Sequence, residues 1–373
     1  MDALMLPLNW QKVRLGDIGK PCMCKRVMKH QTTRYGEIPF YKIGTFGNTA
    51  DAFISKKLFL EYKTKYSFPK KGDILISASG TIGRAVIYDG KPAYFQDSNI
   101  VWIDNDETLV KNDFLFYAYS NVKWNTEHTT ILRLYSDNFR NTLIPLPPLN
   151  EQSAIANILS DLDRYLCALD ALILKKEGVK KALSFELLSQ RKRLKGFNQA
   201  WQKVRLGDIA NYLISNLGAE QITQQGKIKV YDVNNFIGYT DTTFISDKPY
   251  ISIVKDGSVG RVRILPPKTN ILSTMGALIA NHRTTTEFLF YLLSNFDFKN
   301  FTSGSIIPHI YFKDYKEKTI FLPPLNEQSA IANILSTLDH EITSLKNKKR
   351  QFENIKKALN HDLMSAKIRV LKK

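Results

Sequence analysis

Donor and acceptor side chains collect in the turns of two stretches of the sequence, and they include the residue types that read DNA bases. Arginine pairs with guanine, and asparagine or glutamine pairs with adenine, through two hydrogen bonds to the base edge. In the first stretch we select Lys42, Thr45, Ser79, Thr81, Arg84, Gln96, Ser98, Asn99, Arg133 and Tyr135. In the second we select Tyr231, Asn234, Asn235, Lys255, Ser258, Arg261, Ser273, Ser305 and His309. An ordinary surface or turn role is the alternative for each.

Two glycine turns lie among these candidates. Gly80-Thr-Ile-Gly83 precedes Arg84, and Gly257-Ser-Val-Gly260 precedes Arg261. Successive backbone amides in such a turn can bind a phosphate group. A purely structural turn is the alternative.

Motifs of a self-sufficient enzyme are missing from the sequence. It has no Asn-Pro-Pro-Tyr or Asp-Pro-Pro-Tyr for adenine methylation, no GxxxxGK[ST] loop for ATP and no HExxH zinc site. Glu61-Tyr-Lys63 has the spacing of a nuclease tripeptide, which arises easily by chance in a lysine-rich chain. Cys22, Cys24 and Cys167 give neither a disulfide framework nor a metal spacing. We expect no catalytic residue, no metal and no cofactor bound by this chain.

The chain is strongly basic. Its 53 Lys and Arg residues outnumber 35 Asp and Glu residues, which gives a net charge of +18 and a pI of about 9.6. Clustered cations release counterions from phosphates, so a polyanionic partner is expected. Charge alone leaves DNA, RNA, an anionic membrane and a merely solvated surface open. No apolar run is long enough to span a bilayer, and we expect a cytoplasmic protein.

The chain contains an internal duplication. Trp10–Ile18 recurs without change as Trp201–Ile209, and Leu146–Ser160 recurs as Leu322–Ser336. The segments between these blocks diverge, and the first is about fifteen residues longer. The sequence therefore predicts two domains of similar fold with different surfaces.

A long helix is predicted after each Pro-Pro pair, because proline cannot lie in a helix interior and Asn150 or Asn326 can then cap the first free amides. Glu151 and Glu327 then fall in the first turn, where the helix dipole favours a carboxylate. Apolar residues continue at spacings of three and four, which is typical of a coiled-coil seam. The packing residues are Ile155, Leu159, Leu162, Leu166, Leu169 and Ile173 in the first helix and Ile331, Leu335, Leu338, Ile342 and Leu345 in the second. Val179, Leu183, Leu187, Phe352, Ile355, Leu359 and Leu363 extend the two stripes.

These patterns predict an α+β protein in which two mixed α/β domains are separated by two long antiparallel coiled-coil helices. We place the first domain at 1–149, the first helix at 150–196, the second domain at 197–325 and the second helix at 326–373. Gly178 is expected to bend the first helix and Gly196 to end it. Antiparallel pairing of the repeated halves would invert the two domains about a pseudo-twofold axis.

The LPPLNEQ entry into each helix and the WxxVxLGDI entry into each domain, both present twice, resemble the specificity subunit of type I restriction-modification systems over essentially the full chain. The resemblance implies two target recognition domains, each of which reads half of a bipartite site in double-stranded DNA. It implies that the helices set the gap and dock two methyltransferase subunits, with motor and nuclease subunits as further partners. S-adenosylmethionine, ATP and Mg²⁺ are then expected on those partners.

Other functions remain open at this point. A related system in which one partner polypeptide both methylates and cleaves would use a similar specificity subunit. A stand-alone DNA methyltransferase or endonuclease is opposed by the missing motifs, and binding of S-adenosylmethionine by the purified chain would favour it. A coiled-coil scaffold whose variable domains bind protein would fail to bind DNA even with methyltransferase partners present.

Overall fold

The chain forms two compact units. The computed structural model describes residue 7, residues 9–128 and residues 132–370. The first unit consists of Met1–Leu169 together with Lys348–Lys373, and the second consists of Asp170–Asn347. Each unit contains one α/β body and a segment of each of two long helices.

The first unit contains a series of short strands and helices. The last of them is a four-residue strand that precedes the first long helix. In chain order they are β1 (Gln11–Arg14), α1 (Leu15–Ile18), β2 (Gly19–Met23), β3 (Ile38–Tyr41), β4 (Phe53–Ile54), α2 (Lys56–Lys65), β5 (Ile74–Ser77), β6 (Ala85–Ile87), β7 (Tyr94–Phe95), β8 (Ile100–Asn105), α3 (Asn112–Tyr119), β9 (Glu127–His128), β10 (Leu132–Arg133), α4 (Ser136–Asn141) and β11 (Leu143–Leu146). The long helix α5 (Leu149–Leu188) follows.

The second unit repeats this order with small differences. Its elements are β12 (Gln202–Arg205), β13 (Ala210–Ile214), β14 (Ile228–Tyr231), β15 (Phe236–Thr240), β16 (Tyr250–Val254), β17 (Val262–Leu265), β18 (Asn270–Ile271), β19 (Met275–Ala280), α6 (Thr286–Ser294), β20 (Thr302–Ser303), β21 (His309–Ile310), α7 (Phe312–Tyr315) and β22 (Thr319–Leu322). The second long helix is α8 (Leu325–Met364).

Matching sheets form the two α/β bodies. The first unit has a four-stranded antiparallel sheet of order β2-β8-β5-β6, and the second has β13-β19-β16-β17. A three-stranded sheet accompanies each, β4-β3-β7 in one unit and β15-β14-β18 in the other. The central strands β5 and β16 are buried along their whole length, as their continuous apolar runs require. The duplication in the sequence is therefore a duplication of fold.

The two long helices each span 40 residues, or about 60 Å. They end earlier than the sequence predicts. Gln190 (φ 62°) and Ala366 (φ 57°) take the left-handed conformation just beyond the last turns, so Gly196 does not end the first helix. Helix α5 runs through Gly178 without interruption, and a Cβ at that position would meet no atom within 4 Å.

Within each unit the helix segments pack antiparallel. In the first unit Ile155 and Leu159, near the start of α5, share a core with Leu363, near the end of α8. In the second unit Leu335, near the start of α8, packs with Leu187, near the end of α5.

The predicted seam is buried unevenly. Leu169, Ile173, Ile331 and Ile342 are also buried, whereas Leu162, Leu166, Leu338 and Leu345 are half-buried. Val179 and Ile355 differ from the prediction, because they are 40% and 50% exposed. These two equivalent positions lie on the outer side of the helices, so the stripe does not continue through them.

Candidate nucleic-acid interface

Each predicted glycine turn connects a central strand of the four-stranded sheet to the neighbouring edge strand, β5 to β6 in the first unit and β16 to β17 in the second. The second glycine of each turn lies against an aromatic ring. A Cβ on Gly83 (φ 82°) would lie 2.1 Å from Trp124 Nε1, and one on Gly260 (φ 80°) would lie 2.6 Å from Phe298 Cδ2. Both positions therefore require glycine, for space as well as for backbone conformation.

In the first unit the turn is joined to β10, which pairs with β9. The amide of Gly80 donates to Leu132 O at 3.2 Å, and the amide of Leu134 donates to Ala78 O at 2.9 Å. Ser79 pairs with Arg133 across this contact, and its hydroxyl donates to Asn99 Oδ1 at 2.7 Å. Three of the predicted base contacts are thus brought together.

The second unit has the same contact between a turn and a hairpin. The amide of Gly257 donates to Pro308 O at 2.9 Å, and that of Ile310 donates to Lys255 O at 2.9 Å. Asp256 and His309 stand where the first unit has Ser79 and Arg133, and Asp256 Oδ1 lies 2.7 Å from His309 Nδ1. We call this feature, residues 78–83 with 132–134 and residues 255–260 with 308–310, the loop–hairpin junction.

The other candidates of the first unit lie around one further turn. Thr45 Oγ1 accepts from the amide of Lys42 at 3.1 Å, and Gln96 Oε1 accepts from the amide of Ile43 at 3.0 Å. Arg84 donates to Phe46 O at 2.9 Å. Thr45 and Gln96 thus stabilise the turn itself. This is the turn role that the sequence left open as the alternative to a base contact.

The remaining candidates of the first unit are mostly exposed. Lys42 forms an ion pair with Asp51 at 2.8 Å. Ser98 (φ 60°) contacts Met23 Sδ at 3.8 Å, while Thr81 and Tyr135 point to solvent.

In the second unit an asparagine turn lies beside two arginines. Arg261 donates to Asn234 Oδ1 at 2.8 Å, and Arg263 donates to Asn234 O at 3.0 Å while its guanidinium lies over the ring of Tyr231. The amides of Asn234 and Asn235 both donate to Asp232 Oδ1.

Three serine candidates complete the second set. Ser258 and Ser305 are exposed in the loops of the junction. Ser273 lies apart, with its amide bonded to Leu217 O at 2.9 Å.

A family model described as the type I restriction modification DNA specificity domain matches residues 7–176 and matches again at residues 198–354. The two matches cover most of the chain and fall on the two copies of the repeat. The chain belongs to this family. It is accordingly a DNA specificity subunit of a type I restriction-modification system, the non-catalytic subunit that gives the system its DNA specificity.

Similar proteins support the assignment. The chain is 61% identical, over 152 residues that make up 40% of each protein, to a putative type I restriction enzyme specificity subunit of Haemophilus influenzae. It is 29% identical to the putative MjaX specificity subunit of Methanocaldococcus jannaschii over 98% of this chain and 95% of that one. The fold resembles the crystal structure of a type I S subunit from M. genitalium, with a TM-score of 0.63, 21% identity, and coverage of 96% and 98%.

Several contacts of this specificity subunit were not predicted. Asp256 was missed as the partner of His309, although it directly precedes the glycine turn. The hydrogen bond from Arg263 to Asn234 was also not predicted. Its position two residues after the selected Arg261 was the signal in the sequence. Glu327 was predicted only as a carboxylate in the first turn of a helix. It is fully buried and accepts a hydrogen bond from Trp201 Nε1 at 2.9 Å.

A repeated polar contact joins each α/β body to the helices. Tyr117 Oη donates to Asp163 at 2.7 Å, and Tyr291 Oη donates to Asp339 at 2.8 Å. Lys356 and Lys180, at equivalent positions of α8 and α5, form ion pairs with Asp163 and Asp339. Burial, with the neighbouring carboxylate as a smaller cause, raises the pKa of both tyrosines, so both donate as neutral phenols.

Two further observations concern the ranges that the structure describes. Their His, Cys, Asp and Glu side chains form no group of three that could hold a metal ion. None of their helices combines the length and apolar character needed to cross a membrane.

Proposed function

We propose that each unit of this specificity subunit reads one half of a bipartite site in double-stranded DNA, through its loop–hairpin junction. The observation that supports this most directly is the junction itself. The two units share its backbone hydrogen bonds but differ in their side chains: Arg133 is exposed beside the buried Ser79 in one unit, and Asp256 and His309 are half-buried in the other. A shared frame with unlike donors and acceptors suits two half-sites of different sequence.

We further propose that α5 and α8 set the gap between half-sites and dock two methyltransferase subunits. Those partners would bind S-adenosylmethionine, and motor or nuclease subunits would supply ATP- and Mg²⁺-dependent cleavage in the cytoplasm. A solved structure of similar fold, with a TM-score of 0.57 and 16% identity, concerns complex assembly of the type I restriction-modification system.

Exchange of one reader tests the proposal. Residues 19–145 are replaced by the corresponding segment of another specificity subunit, and methyladenine is mapped by single-molecule sequencing in cells that carry the methyltransferase subunits. We expect one half-site to change while the other half-site and the gap stay the same. A change in both half-sites would contradict the proposal, and the matched exchange of residues 210–321 is the control that assigns the second half-site.

A further inference from the structure

The hairpin of the second unit exposes two branched apolar side chains in succession. Residues 303–307 are all exposed, and Ile306 and Ile307 are 92% and 54% exposed. Single exposed apolar residues are ordinary on protein surfaces. An adjacent pair at the tip of a hairpin is less so, because both side chains forgo the favourable free energy of leaving water.

The base of this hairpin is held rigidly. Two backbone hydrogen bonds and the contact between Asp256 and His309 fix it to the glycine turn. Gly304 (φ 91°) begins the tip, and a Cβ there would lie 2.3 Å from Ile307 O. The tip is therefore preformed, and little conformational entropy remains to be lost when it binds.

The surroundings of the tip are cationic. Lys255 and Arg261 flank the glycine turn, and Lys313 lies over the ring of Tyr311, close behind the hairpin in sequence. The ring of Tyr311 is 49% exposed and nearly parallel to that of His309. Apolar side chains amid cations match a duplex, in which the bases offer apolar edges and faces between two rows of phosphates.

Ile306 is particular to the second copy of the sequence. It stands where the first copy has Thr130, whereas Ile307 corresponds to Ile131. A surface for a partner that binds both units alike should be the same in both copies, whereas a base-reading surface should differ. This comparison favours DNA over a partner protein as the occupant.

We propose that Ile306, supported by Ile307, makes an apolar contact with the bases of the half-site read by the second unit. The inference rests on the proposed function and deepens it, because it adds a specificity-determining contact that carries no hydrogen bond. Apolar side chains contact the thymine methyl group or enter between base pairs, and both contacts depend on the base sequence.

The test uses the complex of the full chain with its methyltransferase subunits. Two duplexes carry the mapped site, one intact and one with the second unit's half-site scrambled. Ile306→Ser is expected to weaken binding to the intact duplex about tenfold and to leave binding to the scrambled duplex unchanged, while Ile306→Leu stays close to the parent. Ile214→Ser, at an isoleucine of the same unit that is 56% exposed, is the matched control and should change neither.

Each other result overturns the inference. Equal affinity of Ile306→Ser and the parent for the intact duplex would remove Ile306 from the base contacts. Equal weakening on both duplexes would make it a non-specific contact, and failure of the methyltransferase subunits to copurify would make the tip a protein-docking surface. If the parent complex itself does not distinguish the two duplexes, the proposed function fails together with the inference.

Discussion

Arg369 donates two hydrogen bonds, at 2.7 and 2.9 Å, to the carboxylate of Glu151, a residue 218 positions earlier in the chain. Glu151 is almost completely buried and also accepts from Trp10 Nε1 at 3.1 Å. Arg193 and Glu327 repeat the pair in the second unit. The segment that follows α8 is therefore an integral part of the first unit, since it neutralises a carboxylate inside it.

Removal of Arg369 is expected to destabilise the first unit. Among the described residues, Arg369→Ala leaves the buried Glu151 carboxylate with the indole of Trp10 as its one side-chain partner, and we expect a loss of about 2 kcal/mol. Scanning calorimetry should show the melting temperature of the first unit fall by roughly 5 °C.

The matched variants separate burial of charge from loss of contact. Glu151→Gln in the Arg369→Ala background should restore part of the stability, because a neutral amide still accepts from Trp10 without a buried charge. Lys65→Ala, which breaks an exposed ion pair with Glu61, should leave the melting temperature unchanged. An Arg369→Ala protein as stable as the parent would show that this pair contributes nothing.

Tyr119→Phe is expected to stabilise the protein. The Tyr119 ring is buried in the core of the first unit, and among the described residues its hydroxyl finds no hydrogen-bond partner. Leu293 stands at the equivalent place in the second unit, so the repeated fold accepts an apolar side chain there. Removing an unsatisfied buried hydroxyl should gain about 1 kcal/mol, measured as an increased urea midpoint with unchanged slope.

The control is Tyr117→Phe, two residues earlier on the same helix. Its hydroxyl donates to Asp163 at 2.7 Å, so the same chemical change should destabilise the protein. Destabilisation by both variants would mean that Tyr119 has a partner, such as a buried water.

Alkaline pH should destabilise the second unit through Tyr250. Burial raises the pKa of Tyr250 to about 12, with a smaller opposing effect of its hydrogen bond to Thr269. An unfolded tyrosine ionises near pH 10, so the contribution of the neutral phenol is complete below about pH 10 and is lost as the pH rises toward 12.

Tyr250→Phe should therefore show a shallower fall in the free energy of unfolding between pH 9 and pH 11.5, measured by urea titration. Tyr35→Phe, at a side chain that is 87% exposed, serves as the control and should follow the parent curve. Identical slopes for Tyr250→Phe and the parent would refute the assignment to this residue.

The sequence was sufficient to predict the duplicated fold because its signals are local and strong. Each Pro-Pro pair precedes a helix start, as predicted. The helix begins slightly earlier than expected, because the carbonyl oxygens of Pro148 and Pro324 accept the first helical hydrogen bonds and Asn150 already lies inside the helix. The central strands β5 and β16 are also encoded by short continuous apolar runs. Helix ends were harder, since Gln190 and Ala366 take a conformation that usually marks glycine.

The unpredicted contacts join residues far apart in sequence. Asp256 and His309 are 53 residues apart, and the sequence around neither residue indicates the other as its partner. Glu151 has a sufficient explanation as a helix-start carboxylate, so nothing in the sequence indicated its burial against Arg369. Side-chain partners across a fold depend on sheet order and packing, which periodicity does not encode.

Lengthening both helices tests whether they set the gap between half-sites. Ala171 in α5 and Asn347 in α8 are equivalent positions of the repeat, 176 residues apart. The ion pair of Asp163 with Lys356 belongs to the first unit and that of Asp339 with Lys180 to the second. Four residues inserted at both positions keep each pair in register, whereas an insertion at one position lengthens only one helix.

The double insertion should lengthen the gap and leave both half-sites unchanged. Four helical residues add about 6 Å, which corresponds to at most about two base pairs at 3.4 Å per step. Methyladenine mapping gives the new spacing, and the single insertion near Ala171 should lower stability because it strains the antiparallel contacts. An unchanged gap in a folded double-insertion protein would show that the spacing is set by the bound methyltransferase subunits, because the added rise would then have no effect on where the two units meet the duplex.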